Sequence, residues 1–233
     1  MADFARYLPL SQHSGADERG VTSDRRAPTA VVLRGLAAAL RTADDAAWNR
    51  PTEREGRTVA HGVAELVAGF DRSPARRALA TARRALAVDD GAAVIADDAP
   101  HGCADAAAAL EARAAAITAR PQPTRIVELD DAVVAALLIG RALGAAVPIP
   151  PLASGAVALR RAAAAPTAIR AVISGHSLHA TDAAWSIGHG APLVGTADEL
   201  LRFLTGIGLT APRPPRDGDF PASTDRGRTP PSL

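Results

Sequence analysis

His61 and Glu65 stand four residues apart, and Glu128 and Asp131 three apart in an otherwise apolar run. Imidazole nitrogens and carboxylate oxygens are donors that hold divalent metals, and a spacing of four on a helix puts two of them on one face. Read this way, His61 and Glu65 reach one metal alongside Glu128. The same pair also reads as a solvated ornament of the helix surface, because both residues lie off the stripe of Val59, Val63 and Leu66. Glu128 and Asp131 call for a partner of some kind. A carboxylate buried on an apolar helix needs an arginine, a helix N-terminus or a metal. Cys103 follows His101 and Gly102 at the start of an Ala-rich segment. There a helix dipole would lower the thiol's pKa and His101 would supply a base, so one reading is a nucleophile and the other a packed, inert thiol. His176, His179 and Asp182 look like a ligand set, but residues three apart on a strand point to opposite faces and do not converge. His189, between Gly188 and Gly190, belongs to a turn and not to a phosphate loop.

The elements that position these groups are mostly helices. Residues 1–26 read as a loose polar arm with only Phe4, Tyr7, Leu8 and Leu10 to pack. A first helix runs from Thr29 to Trp48, with Val32, Leu36, Ala39 and Leu40 at helical spacing. Trp48 then leads through Pro51, Thr52 and Gly56 to Thr58, a good N-cap for a second helix reaching Phe70. Pro74 opens a third helical segment with paired arginines outward, and a turn-rich connection covers residues 89–102. Helices follow over Ala104–Ala119 and Arg125–Leu143, the second stopped by Gly144. The run Pro148–Pro151 marks a domain boundary. Beyond it the pattern predicts a short helix over 152–165 and a β-hairpin of 167–173 with 176–182. A short strand at Trp185–Ile187 follows, then a helix capped by Thr196 and Glu199 and closed by Gly206. From Ala211 onward the Pro- and Arg-rich sequence has nothing to bury, which predicts disorder.

Bulk composition excludes several classes. All 26 basic residues are arginine, which together with the abundant alanine reflects compositional bias, and the net charge of +1 argues against nucleic-acid binding. A single cysteine rules out an internal disulfide and predicts a reducing, cytoplasmic setting. No N-terminal hydrophobic leader stands out, and the longest apolar run, Ala132–Ile139, is too short to span a bilayer. These features predict a soluble protein without nucleic-acid or membrane partners, a monomer or homodimer.

The stretch Trp48–Phe70, reading WNRPTEREGRTVAHGVAELVAGF, resembles the metal-binding helix of the mycothiol-dependent maleylpyruvate isomerase family. That family is a branch of the DinB-like four-helix bundles. A second resemblance runs from Gly175 through Leu178, Ala180–Asp182, Trp185–Ser186, Gly188 and Gly190 to the segment Gly195–Gly206. With Arg125–Glu128, these stretches are similar to the family over more than half of the chain. The resemblance implies a mainly α fold: a DinB-like antiparallel four-helix bundle over 27–147, then a small α/β C-terminal domain over 152–210 and a disordered tail over 211–233. It also implies a divalent metal, zinc by analogy, held by a His on the second helix and by a Glu and a His four apart on a later one. The metal would stabilise the mycothiol cosubstrate as its thiolate, the nucleophilic form, for isomerase or transferase chemistry on a small-molecule substrate. The matching positions here are Glu65, Glu128 and Ala132, with His61 and Asp131 as candidate replacement ligands. A set dominated by carboxylates favours a hard cation over zinc. The alternative implied by Ala132 is a bundle without its metal, acting as a small-molecule-binding or regulatory protein.

Overall fold

The computed structural model describes residues 24–71, 100–208 and 210–219. Helix α1 spans Arg26–Thr42, α2 Val59–Asp71, α3 Cys103–Ala119, α4 Ile126–Leu143, α5 Pro151–Ala163, α6 Thr167–Ile173 and α7 Ala197–Leu204. Strands β1 (His176–Ala180), β2 (Ser186–Gly188) and β3 (Ala191–Gly195) form the sheet. The described part is therefore mainly helical with a small three-stranded sheet in the order β2-β1-β3. No helix among the described residues is long and apolar enough to cross a membrane. The segment that opens at Pro74 and the connection up to residue 99 lie outside the described residues, as do most of the N-terminal arm and residues 220–233.

Helix α4 is the centre of the helical part. Between Glu128 and Gly140 every residue except Asp131 is buried, so this helix is enclosed almost all round, as its continuous apolar sequence requires. Helices α1 and α2 both pack on it, and α1 also lies along α3. The α1 stripe of Val32, Leu33, Leu36 and Leu40 is fully buried, and so are Val59 and Val63 on α2. Helix α1 ends earlier than its sequence suggests. Thr42 closes it, and Asp44 starts a separate 3₁₀ turn over Asp45–Asn49 by accepting the Ala47 N–H at 2.7 Å. Pro51 and Thr58 then form a bridge, and Val59 N–H donates to Arg50 O at 3.0 Å, so the Trp48–Thr58 loop is closed before α2 begins.

Residues 167–173 are helical, not the first arm of a hairpin. Their alternation of apolar and polar positions fits a strand, but Pro166 precedes the first turn and Ile169 and Ile173, four apart, both face the core. The antiparallel partner of β1 is β2, with Leu178 opposite Ile187, while β3 runs parallel on the other side with Leu178 opposite Leu193. The chain must therefore step across the start of β1 between Gly188 and Ala191. Both glycines of that step have positive φ, 83° and 108°. A Cβ on Gly190 would lie 2.1 Å from Gly175 O. Only glycine permits so close a crossing. Thr196 and Glu199 form the expected capping box on α7.

The Pro148–Pro151 segment, expected from sequence to mark a domain boundary, is half-buried to exposed, and the chain at its start touches the helices at two points. Pro148 Cδ lies 2.8 Å from where a Cβ at Gly35 would be, and Val147 lies against Gly140 in the same way at 3.0 Å. One hydrophobic cluster runs from Leu33, Leu36 and Val63 through Val157 to Leu178 and Leu200. Residues 210–219 also have a place. Arg213 and Val194 exchange backbone hydrogen bonds at 2.7 and 3.2 Å, which lays the start of the Pro- and Arg-rich tail beside β3.

Candidate functional site

The two carboxylates that sequence reasoning places together come from α2 and α4, so the register of these helices decides whether they meet. On α2, Gly62 abuts Ile139 of α4 and Gly69 abuts Asp131, with Cβ positions 3.3 and 3.8 Å from the facing side chains. Seven residues forward on α2 thus correspond to eight back on α4, an antiparallel pairing. Glu65 then stands level with Ala135 or Ala136, and Glu128 sits roughly 11 Å farther along the axis at a rise of about 1.5 Å per residue.

Each candidate ligand also has local company. Glu65 pairs with Arg57 at 2.9 Å and lies 3.9 Å from Arg54, so the loop that leads into α2 folds its arginines over it. His61 Nδ1 lies 2.9 Å from the Thr58 hydroxyl, one turn back at the N-cap. Glu128 is 5% exposed, accepts the Arg125 N–H at the start of α4 and pairs with Arg120 at 3.3 Å. Asp131 is half-buried and turned toward Gly69. Ala132 is fully buried and brings no donor to the position four residues after Glu128. These residues do not fit a zinc site: the carboxylates are apart, arginines stand beside both, and the third position is a methyl group. Among the described residues no three His, Cys, Asp or Glu side chains gather in a metal-holding arrangement.

Cys103 is placed at a helix start as expected, yet its electrostatics run the other way. It is 4% exposed, its Sγ faces Asp44 O, and burial followed by the charges of Asp45 and Asp44 pushes the thiol pKa up. Desolvation outweighs the helix dipole here. We expect Cys103 in the native protein to react with a thiol reagent at pH 8 at least about tenfold more slowly than in the urea-unfolded chain. Equal rates would contradict the burial. The sign for stability follows. A thiol with a raised native pKa contributes stability that is present below the ordinary thiol range of about 8.5 and is lost as pH climbs through the native pKa.

Sequence reasoning missed Asp130, a buried carboxylate shared by two arginines. It is 4% exposed and binds Arg161 at 2.7 Å and Arg160 at 3.3 Å, joining α4 to α5. The signal was present. A helix that is apolar on all sides makes each of its polar residues a buried one, and that argument applies to Asp130 as much as to its neighbours. Arg202 of α7 was also passed over. It pairs with Glu53 of the Trp48–Thr58 loop and donates to Leu137 O at 3.3 Å.

In the C-terminal part, His176, His179 and Asp182 serve separate local bonds. His176 Nδ1 lies 3.0 Å from Ser174 O, His179 Nε2 lies 2.9 Å from the Ser177 hydroxyl, and Asp182 accepts the Ala197 N–H that opens α7 at 2.6 Å. Trp185 donates its indole N–H to Ser154 of α5 at 2.9 Å and rests on Gly155, where a Cβ would come within 3.1 Å of the ring. Around this loop lies an open cleft of about 530 Å³ lined by His179, Thr181, Asp182, Trp185, Ser186 and Asp219, among others. Comparison of the chain with family models, with curated proteins and with solved structures returns no match.

Proposed function

We propose that this protein is a divergent relative of the mycothiol-dependent maleylpyruvate isomerases, built on a DinB-like four-helix arrangement, that acts as a small-molecule-binding or regulatory protein without the family's metal. The observation that carries this reading is the state of the carboxylates. Glu65 is neutralised by Arg57, Glu128 by Arg120 and the backbone of Arg125, and the helix register keeps the two apart. A guanidinium beside a carboxylate competes directly with a cation for the same oxygens. Helices α1 and α2 pack on α4 and α3 lies along α1, which is consistent with the bundle. The motif from Gly175 to Gly190, which resembles the family's C-terminal segment, is the sequence basis of the kinship on that side.

Elemental analysis of untagged protein purified without chelators tests the reading. The expected result is zinc and other divalent metals far below one equivalent, unchanged after incubation with excess zinc and dialysis. Near-stoichiometric metal that disappears in Glu65→Ala or Glu128→Ala would overturn it and restore the metal-assisted isomerase or transferase, with mycothiol as the thiol.

A further inference from the structure

Helix α5 is apolar on two sides. Its inner side, with Ala153, Val157 and Ala158, is buried in the core. Its outer side carries Leu152, Ala156, Leu159 and Ala163, whose spacing of four, three and four keeps them in one narrow stripe. Leu152 is 76% exposed and Leu159 60%, the two most exposed large apolar residues among those described, ahead of Val31 and Val172. A lone exposed leucine is ordinary, but a pair on one face of a 13-residue helix forms a surface. The stripe is also free of charge, because both arginines of α5, Arg160 and Arg161, pair with Asp130. A helix apolar on both sides is normally covered on both.

The chain holds a matching segment close by. Residues 1–23 precede the described part, and their large apolar side chains gather near the start, at Phe4, Tyr7, Leu8 and Leu10. Phe4, Tyr7 and Leu8 have the spacing of anchors that fill an apolar helix surface. Tyr7 is the sole tyrosine of the chain and Phe4 one of its four phenylalanines, so in an aromatic-poor sequence this stretch is rich in anchors. The described chain starts at Asp24, which pairs with Arg26 at 2.7 Å and accepts the Thr124 N–H just before α4. The C-terminal end of the α5 stripe lies at that same end of the molecule. Asp130, which holds Arg160 and Arg161, is about 9 Å along α4 from Thr124, and the step sideways to a neighbouring helix adds about 10 Å. Residues 11–23, SQHSGADERGVTS, separate Leu10 from Asp24, with Val21 as their one large apolar residue. A chain of that length and composition has a root-mean-square span of about 20 Å, which matches the distance and maximises the local concentration of its far end.

We propose that residues 4–10 of the same chain dock on the outer face of α5, with Phe4, Tyr7 and Leu8 packed over Leu152, Ala156 and Leu159. The arm is then an intramolecular cover, and its release exposes an apolar surface on α5.

The test uses the full chain labelled with fluorotyrosine, which places a single fluorine signal at Tyr7. We expect one resonance, displaced from its position in concentrated urea and independent of protein concentration. In the double variant Leu152→Ser with Leu159→Ser, and separately in Phe4→Ser with Leu8→Ser, the resonance should return to the unfolded position while circular dichroism stays native. If the α5 double variant loses its fold, Leu152→Ser alone, at the more exposed position, takes its place. A resonance of the native protein already at the unfolded position overturns the proposal, as does a displaced one that the folded α5 variant leaves unmoved. A displacement lost on dilution, together with a dimer in light scattering, also overturns it and assigns the face to a second copy.

Discussion

Gly190→Ala should destabilise the protein by about 3 kcal/mol or more, enough to lower Tm by roughly 10 °C or to prevent soluble expression. Two causes add. At φ 108° an L-residue is strained, and the new methyl would lie 2.1 Å from Gly175 O, a backbone atom that cannot swing away. Relief requires opening the step by which the chain crosses from β2 to β3, and β3 carries Leu193 and Val194 into the core. Gly144→Ala is the control. Gly144 ends α4 at φ 67° with nothing near its Cβ position, so alanine there should cost only about 1 kcal/mol. Urea denaturation of both variants checks the claim. If the two cost the same, the crossing is not as tight as described.

Asp130→Ala is expected to cost about 2 kcal/mol and to loosen α5 from α4. Removing one partner of a buried ion pair is usually worse than that, because the other charge is left stranded. Here the Arg160 and Arg161 side chains are 38% and 32% exposed and can turn to water, which limits the loss. Either arginine alone is a partial replacement for the other. Arg160→Ala and Arg161→Ala should each cost well under 1 kcal/mol, whereas the double variant should cost more than Asp130→Ala, because it strands a carboxylate that is only 4% exposed. Chemical denaturation of the four variants completes the cycle, and strictly additive arginine effects would show that the two do not share Asp130.

The helices were the legible part of the sequence, for a physical reason. Val59, Val63, Leu66 and Phe70 bury one face and declare their period, and Thr58, Gly144, Thr196 and Glu199 mark ends through bonds made within a few residues. Residues 167–173 were misread because a seven-residue run of small and β-branched side chains fits both periods, and only Pro166 and the core decide between them. The candidate site was harder. Residue types and spacing within one helix were visible, but the register between α2 and α4 depends on where Gly62 and Gly69 let α4 approach, and no local pattern carries that. Cys103 shows the same limit. A helix start is local information, whereas the burial and the two aspartates that govern its thiol come from the packing of α3 against the 3₁₀ turn.

The contact of Pro148 with Gly35 and of Val147 with Gly140 has a consequence for how this chain can change over evolutionary time. The joint between its halves is seated in notches cut into α1 and α4, residues that lie up to about a hundred positions earlier. A C-terminal half exchanged by recombination at Pro148 would bring its own joint to notches shaped for another. Such a graft would seat well only if its joint also fitted against the glycines at positions 35 and 140.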